Sequence, residues 1–178
     1  MSESAGMNAM ADADYFALLG LARRWQVDRS ALERSYLERS RATHPDAFVG
    51  KSAAAQRTAL EASSRLNTAY SVLRDPVRRA EYLVKLGGVD LDSSDPVRGS
   101  PQPSQSFLIQ MIELRERLAE DDTDAIRDEI EARAEQAFDE AVAALERNDI
   151  PVAARELVAR RYYQRFLDEV ADAQAEGS

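Results

Sequence analysis

Apolar side chains in this chain recur every three or four residues, and no segment sustains the alternation of apolar and polar residues that a half-buried strand needs. A spacing of three to four residues places side chains on one face of an α-helix. The sequence therefore predicts an all-α fold. The clearest stripes are Leu66, Tyr70 and Leu73; Phe107, Met111, Leu114 and Leu118; Ile126, Ile130, Ala134, Ala137 and Ala141; and Val158, Tyr162, Phe166 and Val170.

One segment interrupts the helical pattern. Residues 88–104 are rich in Gly, Pro, Ser and Asp, which predicts a linker between a domain at 14–87 and a second at 105–174. Residues 1–13 are predicted to form a flexible tail. Short polar breaks at 121–123 and 148–151 divide the second domain into three helices, and such short connections favour an antiparallel three-helix bundle.

The composition excludes several mechanisms. The 178 residues include no Cys and one His, so disulfides, a thiolate nucleophile, Cys-ligated clusters and multi-histidine metal sites are ruled out, and we expect no cofactor and no bound metal. The N-terminus has no apolar run that would serve as a signal peptide or membrane span, which predicts a cytoplasmic protein that does not bind membranes.

The net charge of -9 is unevenly distributed. Residues 1–87 carry 13 basic and 10 acidic side chains, a net charge of +3, whereas residues 88–178 carry 10 and 22, a net charge of -12. This asymmetry suggests two surfaces for two different partners. Nucleic acid is disfavoured as a partner because no basic stripe is interleaved with aromatic residues.

The most informative tripeptide is His44-Pro45-Asp46, which lies between two predicted helices. Proline fixes the backbone and disfavours helical geometry at the residue before it, so the tripeptide is expected to form a turn. Three interpretations remain open: a general acid/base pair, which would need a nucleophile or metal partner; a helix stop with no further role; and a recognition corner.

Residues 14–87 resemble a J-domain. The match rests on the short helix Asp14–Leu21, the His44-Pro45-Asp46 turn, the run Leu66–Pro76 and the run Arg78–Tyr82. The resemblance implies a helical hairpin whose tip engages a DnaK-class ATPase chaperone and stimulates ATP hydrolysis, so that the protein is a co-chaperone with no active site of its own.

The resemblance also implies a basic face on the second helix, and Arg34 and Arg41, seven residues apart, would supply it. The alternative is that both are ordinary solvated arginines. Three positions depart from the usual J-domain pattern, namely Thr43 in place of an aromatic residue, Arg39 in place of Leu and Ala47 in place of Lys.

The run Arg78–Leu83, with the acidic helical region that follows, resembles the HscB-type co-chaperones of iron–sulfur cluster assembly. That resemblance implies an HscA/DnaK-class chaperone partner and the scaffold protein IscU as client. It places client binding on the helix at 106–119, which has more apolar residues than one buried stripe requires. The implied client-binding residues are Leu108, Ile109, Ile112, Glu113, Glu116 and Tyr162. The alternative is that the apolar members of this set are plain core residues.

Other functions remain open from the sequence. A general J-domain co-chaperone with an unrelated client would carry the same turn, and a hydrolase using His44 and Asp46 is a more distant alternative. The acidic residues of the middle helix at 129–140 are expected to be solvated surface, although carboxylates four residues apart are also able to bind a metal.

Overall fold

The computed structural model describes residues 13–95, 97–120 and 123–176. The predicted tail therefore lies outside the described residues except for Ala13, as do Asp121 and Asp122 of one predicted break. The described ranges contain α-helices, one 3-10 helix and no strand, so the all-α prediction is confirmed. In chain order the elements are α1 Tyr15–Leu18, α2 Arg29–Thr43, the 3-10 helix Pro45–Phe48, α3 Ala53–Arg74, α4 Pro76–Leu86, α5 Gln105–Glu120, α6 Thr123–Glu146 and α7 Ile150–Glu176.

The chain divides into two compact units between Arg79 and Ala80, inside α4. The division lies upstream of the predicted linker, and the domain limits at 87/88 and 104/105 stay predictions. Residues 88–104 contain ordered turns: the backbone N–H of Asp90 donates to Arg98 O at 2.6 Å, and that of Ser100 donates to Ser93 O at 2.9 Å.

In the first unit, α2 and α3 form a hairpin whose ends are set by local chemistry. The Asp28 carboxylate caps α2 by accepting hydrogen bonds from the backbone N–H groups of Ser30 at 2.8 Å and Ala31 at 3.2 Å. The helix ends at Thr43, and His44 is extended with ψ 129°, as expected for a residue that precedes proline. The core of this unit is built from apolar side chains of α1 and its C-cap residue, α2 and α3, namely Phe16, Leu18, Leu19, Leu32, Ala59, Leu66, Ala69, Val72 and Leu73.

The guanidinium of Arg39 occupies the space beside Gly20, where a side chain would otherwise lie. Gly20, just after α1, has φ +64°, and a Cβ built on it would lie 2.7 Å from a guanidinium nitrogen of Arg39. Arg39 Nε also donates to Ser35 Oγ at 3.2 Å, and the Ser35 hydroxyl donates to Leu19 O at 2.5 Å. This contact explains how the hairpin holds an arginine where the J-domain pattern usually has Leu.

In the second unit, α5, α6 and α7 pack around one apolar core, as the three stripes predicted. The stripe predicted for α7 was wrong in one residue: Tyr163 is buried, whereas Tyr162 is only half-buried. Full burial of a large apolar side chain stabilises the fold by about 1.5–3 kcal/mol. The buried members of the core are Met111, Leu114, Ile126, Ile130, Ala134, Ala137, Tyr163, Phe166 and Val170.

Arg161 on α7 connects three segments of the second unit. Its Nε donates to Glu81 Oε1 at 2.7 Å, and its Nη1 donates to Leu91 O at 3.1 Å and to Asp92 Oδ1 at 2.9 Å. The hydrogen bond with Glu81 raises the pKa of the Arg161 guanidinium, and the charge of Asp92 acts in the same direction. The guanidinium therefore stays charged and ties α7 to the last turns of α4 and to the turn that follows them.

We expect Arg161→Met to lower the free energy of unfolding by about 1–2 kcal/mol, because it leaves the half-buried Glu81 carboxylate unpaired while it keeps most of the apolar stem. Arg147→Met is the matched control, since Arg147 is exposed and forms no ion pair with the described residues. Thermal unfolding followed by circular dichroism measures both variants. Equal melting temperatures for the two would contradict the role given to Arg161.

Candidate functional sites

The His-Pro-Asp turn, residues 44–46, lies at the end of the hairpin where α2 passes into the 3-10 helix. His44 Nδ1 accepts a hydrogen bond from the backbone N–H of Asp46 at 3.3 Å and lies 3.6 Å from Asp46 Oδ2. Both side chains face solvent, His44 with 56% and Asp46 with 87% of its side-chain surface exposed. A polar pair at a fixed, exposed corner is suited to recognition by a partner that surrounds it.

The predicted basic face of α2 is present on the helix surface. Arg34 and Arg41 are both exposed, and neither forms an ion pair with the described residues. At about 100° per residue they lie within about 20° of each other around the axis, on the side away from the buried Leu32. Leu37 lies between them along the helix axis and about 40–60° to one side, with 48% of its surface exposed. The sequence did not single out this residue, because spacing alone does not tell an exposed leucine from a buried one. Two cations flanking an apolar side chain can bind a partner by charge and by burial together.

The helix α5 has two distinct faces. Met111 and Leu114 point into the core, whereas Leu108, Ile109 and Ile112 are 40%, 49% and 57% exposed. The exposed members and the predicted glutamates share one arc of about 140°, which points away from the core stripe. We call this arc, made of Leu108, Ile109, Ile112, Glu113 and Glu116, the α5 face.

The two glutamates of the α5 face lie on the helix surface. Glu113 and Glu116 are exposed and form no ion pair with described residues. The nearby cation Arg115 is paired with Glu169 at 2.5 Å and lies over the ring of Phe166 at 5.3 Å. The α5 face is therefore an exposed apolar patch with unneutralised carboxylates, which is the chemistry of a docking surface for a basic partner.

Tyr162 on α7 reaches α5 through Phe107. The two rings meet edge to face at 5.7 Å between centroids, and Tyr163 makes a similar contact with Phe107 at 5.4 Å. Tyr162 is half-buried, and the guanidinium of Arg165 lies 5.8 Å from its ring. Tyr162 therefore contacts α5 at Phe107, which packs against the core, and its contact is not with the α5 face itself. Tyr163 belongs to the core.

Glu129, one of the carboxylates of α6, has two structural partners. Arg117 and Arg133 both hydrogen-bond Glu129, at 2.9 Å and 2.8 Å, and these bonds lower the pKa of Glu129 against the opposing effect of its partial burial. Within the described residues no three His, Cys, Asp or Glu side chains are grouped closely enough to hold a metal ion. The same part of the chain has no helix with the length and hydropathy needed to cross a membrane.

Two family models match the chain. The model described as DnaJ domain matches residues 14–82, and the model described as HSCB C-terminal oligomerisation domain matches residues 103–171. The first unit, with its hairpin and His-Pro-Asp turn, is therefore a J-domain, and the chain is a J-domain co-chaperone. The partner of this class is an ATPase chaperone of the Hsp70 type. The combination of the two domains, together with the relatives below, shows that the chain belongs to the HscB family of co-chaperones.

Similar proteins cover nearly the whole chain. The co-chaperone protein HscB homolog of Bordetella petrii is 35% identical over 174 residues, which is 94% of this chain and 100% of the relative. The iron-sulfur cluster co-chaperone protein HscB of Mus musculus is 32% identical over 88% of this chain and 67% of its own length. The crystal structure of human co-chaperone protein HscB matches with a TM-score of 0.72 at 28% identity, covering 92% of this chain and 83% of that one. Chaperone HscB from Vibrio cholerae shares the fold, with a TM-score of 0.71 at 24% identity over 93% and 100% of the two chains.

Proposed function

We propose that this co-chaperone stimulates the ATPase of an HscA/DnaK-class chaperone and delivers to it an IscU-type scaffold protein during iron–sulfur cluster assembly. One observation carries the proposal: a single chain combines an exposed His-Pro-Asp turn with an exposed apolar, acid-rimmed α5 face in a separate unit. The names of the mouse and human relatives, which are iron-sulfur cluster co-chaperones, support the assignment.

The J-domain half of the proposal assigns the trigger to His44, Pro45 and Asp46 and the docking charge to Arg34 and Arg41. A positive helix face is attracted to an acidic chaperone surface and raises the rate of encounter, while the exposed turn makes the short-range contacts. In this assignment Leu37 adds apolar burial beside the basic face.

The client half assigns the α5 face and Tyr162 to the scaffold protein. Burial of Leu108, Ile109 and Ile112 supplies affinity, and Glu113 and Glu116 orient a basic partner. The mechanism is proximity: because one chain holds both proteins, the client reaches the chaperone at a high effective concentration at the time hydrolysis is triggered. With no thiol in the chain, its own side chains offer no thiolate to a cluster, so the proposed role is escort.

We expect the protein to raise the steady-state ATPase rate of a purified HscA- or DnaK-class chaperone. Charge reversal by Arg34→Glu with Arg41→Glu should raise the co-chaperone concentration for half-maximal stimulation by about 10-fold or more at low salt. The effect should shrink as salt screens the charges. Arg57→Glu with Arg24→Glu is the matched control, because both residues are exposed and lie outside α2.

Equal half-maximal concentrations for the two double variants would contradict the basic-face assignment. Absence of any stimulation by the unmodified protein would contradict the co-chaperone mechanism itself. The client is tested separately by capturing a purified IscU-type scaffold on the immobilised protein. Stimulation without scaffold binding would favour the alternative of a general J-domain co-chaperone with another client.

A further inference from the structure

A concavity of about 550 Å³ lies in the first unit at the end of the hairpin away from the His-Pro-Asp turn. The turn joins the end of α2 to the start of α3, whereas the concavity is formed where α2 begins and α3 ends. Its volume is within the range of small-ligand and peptide sites. We call it the basic concavity; its lining residues are Arg29, Tyr70, Ser71, Arg74, Asp75, Pro76 and Arg78.

Three guanidinium groups line the basic concavity, and none of them forms an ion pair with the described residues. Arg29, Arg74 and Arg78 come from α2, α3 and α4, and none lies within 4.0 Å of a carboxylate oxygen in the described parts of the chain. Some other arginines are paired, as Arg23 is with Asp14 and Arg115 is with Glu169. In a chain with 32 acidic residues, three unpaired arginines in one concavity concentrate positive charge at a single place.

Neutral groups hold two of these arginines in position. Arg78 Nη1 donates to the Ser71 hydroxyl at 2.8 Å, and the Arg74 guanidinium lies 5.9 Å from the centre of the Tyr70 ring. The Tyr70 ring is itself stacked on Tyr36 at 4.2 Å between centroids. The side chains are therefore partly ordered before any ligand arrives, while their charges stay available, which reduces the entropy lost on binding.

A fourth arginine adds positive potential beside the concavity. Arg79 is only 8% exposed, its guanidinium lies 4.5 Å from the centre of the Trp25 ring, and Nη1 donates to Leu73 O at 2.7 Å, while Nε has no hydrogen-bond partner in the described residues. Burial lowers the pKa of Arg79, and the charge of Arg29 lowers it further against the opposing effect of Asp75. An anion bound beside Arg29 would offset the repulsion between Arg29 and Arg79.

The lining also contains one carboxylate, that of Asp75, which favours an acidic peptide over a compact inorganic polyanion as the ligand. Asp75 Oδ1 accepts a hydrogen bond from the backbone N–H of Arg78 at 2.9 Å and lies between Arg74 and Arg78 in sequence. A compact inorganic polyanion has no N–H group to donate to Asp75 and would leave that carboxylate without a partner. An extended acidic peptide has carboxylates for the arginines and backbone N–H groups for Asp75.

We propose that the basic concavity binds an extended acidic peptide segment of a partner protein, with its carboxylates paired to Arg29, Arg74 and Arg78. The site is distinct from the basic face of α2, because Arg29 lies about 120–140° around the helix from Arg34 and Arg41. The inference therefore stands independently of the chaperone contact proposed above. It adds a second anion-recognising surface to the J-domain unit.

The test is fluorescence anisotropy of the full-length protein with a labelled decapeptide of alternating Glu and Gly, and with the same peptide carrying Gln for Glu. We expect the Glu peptide to bind, the Gln peptide not to bind, and the affinity to fall as salt rises. Arg74→Gln with Arg78→Gln should weaken binding by about tenfold or more, and Arg29→Gln alone should weaken it by a smaller factor. Arg57→Gln is the control, because Arg57 lies on α3 about 25 Å along the helix from Arg74. This variant should bind the Glu peptide as tightly as the unmodified protein does.

Three outcomes would overturn the proposal. The first is equal affinity of the protein for the Glu and Gln peptides, or no binding of either. The second is an affinity for the Glu peptide that is unchanged both in the double variant and in Arg29→Gln. The third is displacement of the peptide by inorganic phosphate or polyphosphate at lower concentrations than by unlabelled Glu peptide, which would assign the site to phosphates. Circular dichroism spectra are to be used to check that each variant is folded. Because Arg29 is on a different helix, Arg29→Gln still tests the proposal if the double variant unfolds.

Discussion

Replacing Asp46 by Asn should abolish stimulation of the chaperone ATPase and leave client binding unchanged. The substitution preserves the shape of the side chain but removes its negative charge and one of its two acceptor oxygens. Because 87% of the Asp46 side chain is exposed, the folded protein loses no buried contact, and stability should change by less than about 0.5 kcal/mol. A loss of stimulation would therefore report a lost contact with the chaperone.

The measurement is the steady-state ATPase rate of the chaperone at saturating co-chaperone concentration. Glu61→Gln is the control, since it removes one negative charge from an exposed residue of α3 in the same unit. We expect Glu61→Gln to stimulate normally and Asp46→Asn to give the basal rate. Normal stimulation by Asp46→Asn would remove the His-Pro-Asp turn from the proposed mechanism.

The second large effect is expected for Leu108→Ala combined with Ile112→Ala. These residues lie on the α5 face and are 40% and 57% exposed, so their truncation should cost the bundle about 1 kcal/mol or less. If they form the centre of the client interface, the affinity for an IscU-type scaffold should fall by about 100-fold. Isothermal titration calorimetry with purified scaffold measures the loss, and ATPase stimulation in the absence of client should be unchanged.

Two controls separate the binding role from a core role. Leu114→Ala removes a side chain that is 3% exposed in the same helix and should destabilise the bundle by about 2–5 kcal/mol. Val97→Ala removes an exposed apolar side chain outside α5 and should change neither stability nor client affinity. A melting temperature for the α5 double variant as low as that of Leu114→Ala would show that Leu108 and Ile112 are core residues.

Most of the fold was predictable because helical spacing and end signals are local. Asp28 and the proline at position 45 fix the ends of α2 through interactions within a few residues, and the sequence predicted the turn at the proline. The core face of α5 followed from spacing in the same way, since Met111 and Leu114 are buried. Spacing could not decide which of the adjacent residues Tyr162 and Tyr163 on α7 is buried, because both lie near the edge of the apolar stripe. Which one is buried depends on how each ring packs against Phe107.

The candidate sites were predictable only in part, for a physical reason. The sequence located the His-Pro-Asp turn through its proline, and it indicated excess apolar residues on α5. It did not indicate the basic concavity, whose arginines come from the ends of three helices and meet only when the hairpin closes. The role of Arg161 was equally hidden, because its partner Glu81 is 80 residues away in the chain.

The contact of Arg39 with Gly20 has a consequence for how this sequence can vary. An alanine at position 20 would be strained by the φ of +64° and would meet the Arg39 guanidinium at 2.7 Å, whereas a leucine at position 39 would remove the second of these penalties. The two substitutions should therefore be non-additive, with the cost of Gly20→Ala smaller when position 39 is already Leu. The pair is therefore expected to be energetically coupled: while the arginine is present, position 20 carries both a conformational and a steric constraint, and with leucine at 39 only the conformational constraint would remain.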